Sequence, residues 1–349
     1  VKLHAGIDIG GQSIKGIALD EEGVLRAEAL RRTPARTGSE DVLAAIAEVI
    51  GELRKCGSLA SVGAGTPGGV DEDGVIVGMA ANIAGWHGTR LGERIADLAG
   101  APCGVRNDGN LAAYAEWAIR GGDSRALFFM GLGTGIGGGF VENGRILAGC
   151  DDRAVEIGHI VVEPSGRHCV CGIDGCAEAF ASGPSMGRIA TDLALGRDAG
   201  IGSLAVRSGM VLDDEVLSGS ELAAMAKNGE QLNALEVYQG FARGDPLAVF
   251  VDAIAAEALS RAAATGLAMF APDTLVLGGG VVAGAPHLVR HIEFRVRDLV
   301  YPDGWKHCRF EAATLSHRAG LLGAALYGAG LVDSREDLFA LARKARFAD

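Results

Sequence analysis

The sequence predicts an α/β protein of two domains in which one strand meander occurs twice. Three observations carry this. The chain has 349 residues, enough for two compact domains with separate cores. Strand-like runs alternate with amphipathic helical ones along most of it. The stretch GIDIGGQSIKGIALDEEGVL, near the start, has a counterpart downstream in GLGTGIGGGFVENGRIL. Each reads as strand, Gly-rich turn, strand, acidic-Gly turn, strand. Two such meanders suggest a duplicated domain with one Gly turn facing the other across a cleft. Two unrelated hairpins would produce the same pattern.

In chain order, Leu3 to Ile9 reads as a strand, Gly10-Gly11 as a tight turn, and Ile14 to Leu19 and Val24 to Leu30 as the next two strands. A helix is expected over Glu40 to Lys55, where Val42, Ile46, Val49, Ile50 and Leu53 fall on one face. Ser61 to Gly65 is a buried strand ending at Thr66-Pro67-Gly68. A helix over Arg90 to Ala99 and a strand over Cys103 to Arg106 precede a helix from Asp108 to Ile119, with Asp108 as a first-turn acid or N-cap. The second meander covers Ala126 to Leu132, Ile136 to Val141 and Arg145 to Leu147. Residues 196–219, rich in Gly, Ser and Asp, read as a loop or insertion. Asp245-Pro246 opens a long helix to about Met269. Thr274 to Leu277 is a short strand running into Gly278-Gly279-Gly280. A helix from Pro286 to Leu299, a strand near Cys308 to Ala312 and a helical tail from His317 complete the chain. The division expected is a first domain of 1–118 completed by 317–349, and a second of 119–316.

Composition removes several classes. A formal charge of -12 argues against nucleic acid, whose recognition is built from clustered Lys and Arg. No run approaches the roughly 18 uninterrupted apolar residues of a membrane span. The start, VKLHAGIDIGG, lacks the order of a signal peptide. A cytoplasmic protein with no nucleic-acid or membrane partner is expected.

Three glycine clusters, Gly10-Gly11, Gly131 to Gly139 and Gly278 to Gly280, are candidates for cradling phosphate with backbone N–H groups. Gly133, Gly135 and Gly138 fit G-x-G-x-x-G, but a strand follows where the dinucleotide fingerprint requires a helix. Tight turns alone would also explain each cluster. The sharpest local signal is EIGHIVVEPSGRHCVCGIDGCAE. His159, Cys169, Cys171 and Cys176 form H-x9-C-x-C-x4-C, a closed one-imidazole, three-thiolate set suited to structural zinc, with His168 as a competing ligand. Seven cysteines, four of them scattered, do not make a secreted disulfide framework. Glu156 and Glu178 flank the loop and are read as placed by it for another purpose.

These residues together resemble the ROK family (repressor, open reading frame, kinase), particularly its glucokinase-like members. The resemblance runs from Gly6 to about Gly330. It rests on DIGG, GTPGGVD from Gly65, NIAGW from Asn82, RNDGN from Arg106, GLGTGIGGG, the EIGH and C-x-C-G-x-x-G-C-x-E block, and LGGG from Leu277. It implies a two-domain actin-like (ribonuclease H-like) ATPase fold closing on ATP and a sugar. By that likeness Asp108 is the catalytic base, and the sugar is held by residues matching Gly65, Asn82, Asn107, Asp108, Glu156, His159 and Glu178. The phosphate loops match Gly10, Gly11, Gln12, Ser13, Lys15 and Gly133, Thr134, Gly135. Gly279 and Gly280 match the adenosine motif, and Asp8 matches an acid near Mg2+. His159, Cys169, Cys171 and Cys176 match the ligands of a structural Zn2+. A homo-oligomer, dimer or tetramer, is implied as well.

The first loop departs from the usual DIGGT followed by Lys. Gln12 and Ser13 remove a Thr hydroxyl expected at the phosphate, which bears on donor preference. Phosphoryl transfer needs positioning, charge neutralisation and a base, and a carboxylate at a strand-to-helix junction can be that base. Taken alone, Asp108 reads as an ordinary helix cap. The function expected is ATP-dependent phosphorylation of the 6-OH of glucose or a similar hexose. Alternatives are an N-acetylated amino sugar, fructose or a polyol as acceptor, or a non-catalytic sugar sensor or transcriptional regulator. DIGG beginning at residue 8 leaves no room ahead of it for a helix-turn-helix module.

Overall fold

A computed structural model describes residues 2–78, 83–207, 209–213, 217–315, 318–333 and 335–345. The chain divides into two compact units. Unit 1 comprises 1–129, 139–155 and 317–349, and unit 2 comprises 130–138 and 156–316.

The first sheet is built from β1 (Lys2–Ile9), β2 (Ser13–Asp20), β3 (Leu25–Arg32), β4 (Ser58–Thr66) and β5 (Cys103–Asn107), in the order β3-β2-β1-β4-β5. The two hairpin pairings are antiparallel, and β1–β4 and β4–β5 are parallel. Helices α1 (Ser39–Leu53), α2 (Leu91–Ala99) and α3 (Asp108–Ile119) belong to the same unit. On α1 the apolar spacing foreseen is the one buried: Val42, Ile46, Val49, Ile50 and Leu53 join Leu3, Ile7, Ile14 and Val62 in one core. Burying each such side chain stabilises the fold by about 1.5–3 kcal/mol.

The second sheet contains β6 (Ala126–Leu132), β7 (Ile136–Glu142), β8 (Arg145–Ile146), β9 (Thr274–Gly278) and β10 (Arg309–Ala312), in the order β10-β9-β6-β7-β8. Read from the other edge this is 8-7-6-9-10, the counterpart of 3-2-1-4-5 strand for strand. The repeated meander is therefore part of a repeated sheet.

The remaining helices are α4 (Glu178–Ala181), α5 (Gly183–Ala194), α6 (Gly202–Arg207), α7 (Glu221–Lys227), α8 (Ala234–Ala242), α9 (Pro246–Phe270), α10 (Gly279–Gly284), α11 (His287–Arg295), α12 (Ala319–Ala329) and α13 (Arg335–Lys344). On α9 the Asp245 side chain accepts from Ala248 N–H and Pro246 takes the first position, as Asp-Pro dictates. Its burial runs round most of the helix because α5, α8 and α11 pack on it. Among the described residues no helix is long and apolar enough to cross a membrane.

Two expectations are modified. The segment 196–219 is not all loop: α6 forms within it, and buried Glu163 accepts from the Ser203 N–H at 3.0 Å, tying that helix to the chain after His159. Gly278-Gly279-Gly280 is not a free turn either, since β9 runs through Gly278 and α10 starts at Gly279.

In unit 1, α12 packs on β1, β4 and α3. A Cβ at Gly323 would lie 1.9 Å from the Leu111 carbonyl oxygen, so only glycine lets α12 seat against α3. That contact fixes the helix whose first residue is Asp108.

Candidate functional site

In unit 1 the strand-to-helix junction β5–α3 carries Asn107 and Asp108. Asn107 is the N-cap: its Oδ1 accepts from Gly109 N–H at 2.9 Å and from Asn110 N–H at 3.3 Å. Its Nδ2 donates to the Gly68 carbonyl at 3.3 Å. Asp108 is the first helical residue, with an exposed side chain whose Oδ1 accepts from Gly109 N–H at 2.8 Å. Gly65 lies beneath, where a Cβ would come 3.1 Å from Leu111 Cδ1 and 3.7 Å from Asp108 Cα. In this arrangement Gly65 and the Asn107 amide shape the junction, and Asp108 is presented outward from it. Asn82 lies outside the described residues.

The first Gly turn joins β1 to β2. Gly10 N–H donates to Ser13 O at 3.0 Å, closing it around Gly11 and Gln12. Thr33 clips the turn from the end of β3, with its N–H on Gln12 O at 3.0 Å and its hydroxyl on Gly10 O at 2.6 Å. With those carbonyls engaged, the turn is suited to offering N–H groups to an anion. Asp8 and Lys15 face each other in the β1–β2 register. Burial pushes the Asp8 carboxyl above its ordinary value, and the Lys15 ammonium opposes this. A carboxylate so desolvated gains most from a cation.

Unit 2 holds the second Gly turn and a cavity of about 410 Å³. The cavity is lined by Gly133 and Thr134 of the turn, Pro184 at the start of α5, Leu235 and Tyr238 on α8, and Gly280 on α10. The Gly133 carbonyl accepts from Gly183 N–H at 2.8 Å, which brings the start of α5 to the turn. Gly279 has φ +89, and a Cβ there would lie 2.2 Å from Leu132 O, so α10 approaches β6 only with glycine at this position. Apolar walls with exposed glycine backbone at one end suit a flat heterocycle carrying phosphates. Asn233, Leu235 and Tyr238 were not singled out from the sequence. Their available signal was N-A-L-E, the capping box that starts α8.

Also in unit 2, ligand atoms of His159, Cys169, Cys171 and Cys176 all lie within 4.8 Å of one another. Cys169 Sγ is 3.7 Å from His159 Nδ1, and Cys171 Sγ is 3.6 Å from Cys176 Sγ. Tetrahedral zinc with Zn–S near 2.3 Å and Zn–N near 2.1 Å spaces its ligand atoms about 3.6–3.8 Å apart. The donor set fits that ion. Burial, together with crowding by neighbouring thiols, pushes Cys169 and Cys176 up, so as bare thiols they would keep their protons; a divalent cation offsets this by binding the thiolates. His168 instead pairs with Asp174 at 2.8 Å.

Glu178, the first residue of α4, links these features. Its Oε2 accepts from Ile136 N–H, just after the Gly turn, at 2.8 Å, and its Oε1 is 4.0 Å from Cys169 Sγ. Desolvation raises the Glu156 carboxyl above its ordinary value; His159 opposes the shift and Glu178 adds to it.

The sequence model of the ROK family matches residues 4–329. A glucokinase of Thermotoga maritima is 32% identical over 321 residues, spanning 92% of this chain and 95% of its own length. A kanosamine kinase of Amycolatopsis mediterranei is 31% identical over 338 residues, spanning 95% and 98% respectively. The crystal structure of a ROK family glucokinase from Streptomyces griseus, in complex with glucose and AMPPNP, is similar at a TM-score of 0.72 and 28% identity, over 94% of this chain and 99% of that one.

Proposed function

Because the chain belongs to the ROK family, we propose that it is an ATP-dependent sugar kinase that phosphorylates the 6-OH of glucose or a similar hexose. Its fold is the two-domain actin-like α/β fold. The observation that carries the reading is the cavity of about 410 Å³ between the Gly133-Thr134-Gly135 turn and Gly280, which has the size and lining for a nucleoside phosphate. In this reading Tyr238, Leu235 and Pro184 flank the base, while Gly133 to Gly135 and the Gly10-Gly11-Gln12-Ser13 turn hold phosphates with backbone N–H groups. Asp108 takes the proton of the attacking hydroxyl. Asn107, Glu156, His159 and Glu178 orient the ring; His159 belongs to the cysteine cluster and Glu178 lies 4.0 Å from Cys169 Sγ.

Magnesium near Asp8 would neutralise phosphate charge. Zinc held by His159, Cys169, Cys171 and Cys176 would be structural, since four protein ligands leave no open position. A second acceptor class is favoured by one observation: the 31% identical relative is named for an amino sugar, kanosamine.

A coupled ADP-release screen over hexoses, amino sugars and polyols tests the reading. Sugar-dependent ADP release with glucose or a close hexose as the best acceptor is expected. Sugar binding without ADP release from any acceptor would leave a sensor instead of a kinase.

A further inference from the structure

The segment just after β8 has an unusual backbone. Asp151, Asp152 and Val155 all have left-handed φ values of 52, 57 and 66, three of the five non-glycine residues with positive φ among those described. Side chains rarely adopt this region, and a β-branched residue least of all. Asp152 is in addition only 2% exposed. A strained, buried carboxylate is doubly unfavourable for folding, so its contacts must account for it.

Those contacts converge on one place. Asp152 Oδ2 accepts from Asn107 N–H at 2.5 Å, and Oδ1 accepts from Asn110 Nδ2 at 3.0 Å. Arg106 Nη1 is 3.5 Å from Oδ1, and Arg106 is itself steadied by Tyr327, its Nε donating to the phenol oxygen at 2.8 Å. The chain's other side is held too, with Val70 N–H donating to Asp151 O at 2.9 Å. Asp152 therefore grips the β5–α3 junction on both sides of Asp108, through the residue before it and through the first turn after it.

We propose that Asp152 is a positioning residue for Asp108. Its carboxylate, aimed by the left-handed backbone, fixes where the first turn of α3 begins and so where Asp108 points. It need not touch substrate. The inference rests on the reading of Asp108 as the base.

The variants Asp152→Gly and Asp152→Asn separate positioning from mere stabilisation. Glycine accepts a φ of 57 without strain and removes the carboxylate. Asparagine also tolerates this backbone. It can keep both bonds if the Asn110 amide flips, because Asn110 Oδ1 is buried without a hydrogen-bond partner among the described residues. The expected result for D152G is at least a tenfold fall in kcat, KM for ATP within about twofold, and a melting temperature within a few degrees. D152N should return kcat to within about threefold of the parent. Amide exchange should quicken at least tenfold at Gly109 and Asn110 in D152G while the later turns of α3 stay protected. A D152G enzyme with kcat within twofold and unchanged exchange overturns the proposal. So does D152G that fails to fold, or that loses kcat and melting temperature together, because Asp152 is then a fold-stabilising residue only. If the parent chain releases no ADP with any sugar, the kinase reading fails by itself, and exchange at Gly109 and Asn110 still decides whether Asp152 holds the junction.

Discussion

Replacing Asp108 by asparagine exchanges one carboxylate oxygen for an amide group, and the structure limits what else can change. The Gly109 N–H bond at 2.8 Å to Oδ1 survives, because the amide oxygen accepts it equally well. The N-cap is supplied by Asn107 and is untouched. The helix also loses one negative charge in its first turn, a change of about 0.3–1 kcal/mol. A melting temperature lower by no more than a few degrees follows. The chemistry loses far more, since the hydroxyl proton has no acceptor as the phosphorus–oxygen bond forms. General-base catalysis contributes about 10²–10⁴ in rate, or about 2.7–5.4 kcal/mol of barrier. Turnover should fall by at least that range while sugar affinity changes little, because other groups carry most of the ground-state contact. Coupled ADP release gives the first quantity and isothermal titration the second. A D108N protein that melts a few degrees lower but turns over normally would refute the mechanism and leave Asp108 as a first-turn helix acid.

Three further outcomes are expected. Desolvation raises Glu156 above its ordinary 4.5, so the folded chain binds that proton more tightly than the unfolded chain, and the group's effect on stability worsens as pH rises through that window. Glu156→Gln should therefore raise the melting temperature at pH 7, show no gain at pH values below 4.5, and weaken sugar binding; an equal gain at both pH values contradicts the assignment. Elemental analysis should find one zinc per chain, and Cys171→Ser should lose it and raise KM for sugar, since Glu178 lies 4.0 Å from Cys169; metal-free protein with three titratable thiols in this loop excludes the site. Gly279→Ala should destabilise by more than about 1 kcal/mol and raise KM for ATP at least tenfold, because its Cβ would sit 2.2 Å from Leu132 O at a φ of +89; an unchanged KM for ATP would mean the cavity beside Gly280 is not the nucleotide site.

What could be read from the sequence was set by local spacing. His159, Cys169, Cys171 and Cys176 stand within eighteen positions, and their ligand atoms do converge. The α1 face, the Asp245-Pro246 start of α9 and the two meanders are likewise local, and all are present. Contacts across long separations were not legible. Asp152 meets Asn107 from 45 positions away, and nothing in the string CDDRAV marks its second acid as buried. Asn107 was assigned to sugar, yet its amide also caps α3 and binds Gly68; an asparagine at a strand-to-helix boundary fits either role, and composition cannot divide them.

The two Gly turns make the same point more sharply. They occupy equivalent places in two sheets of matching strand order, and each is a three-residue Gly-containing turn, Gly10-Gly11-Gln12 in one and Gly133-Thr134-Gly135 in the other. Their third partners differ. Thr33 clips the first turn through Gly10 and Gln12, whereas Gly183 and Glu178 brace the second. The first is thus held by its own meander, and the second by helices and a loop that also carries the cysteines. Perturbing the cysteine loop should reach the second turn through Glu178, while the first has no such connection among its own described hydrogen bonds. The matching strand order puts each turn between the first two strands of its meander, the place from which both are proposed to hold phosphate. The divergence of their supports explains how one of them can be coupled to the groups proposed to hold the sugar.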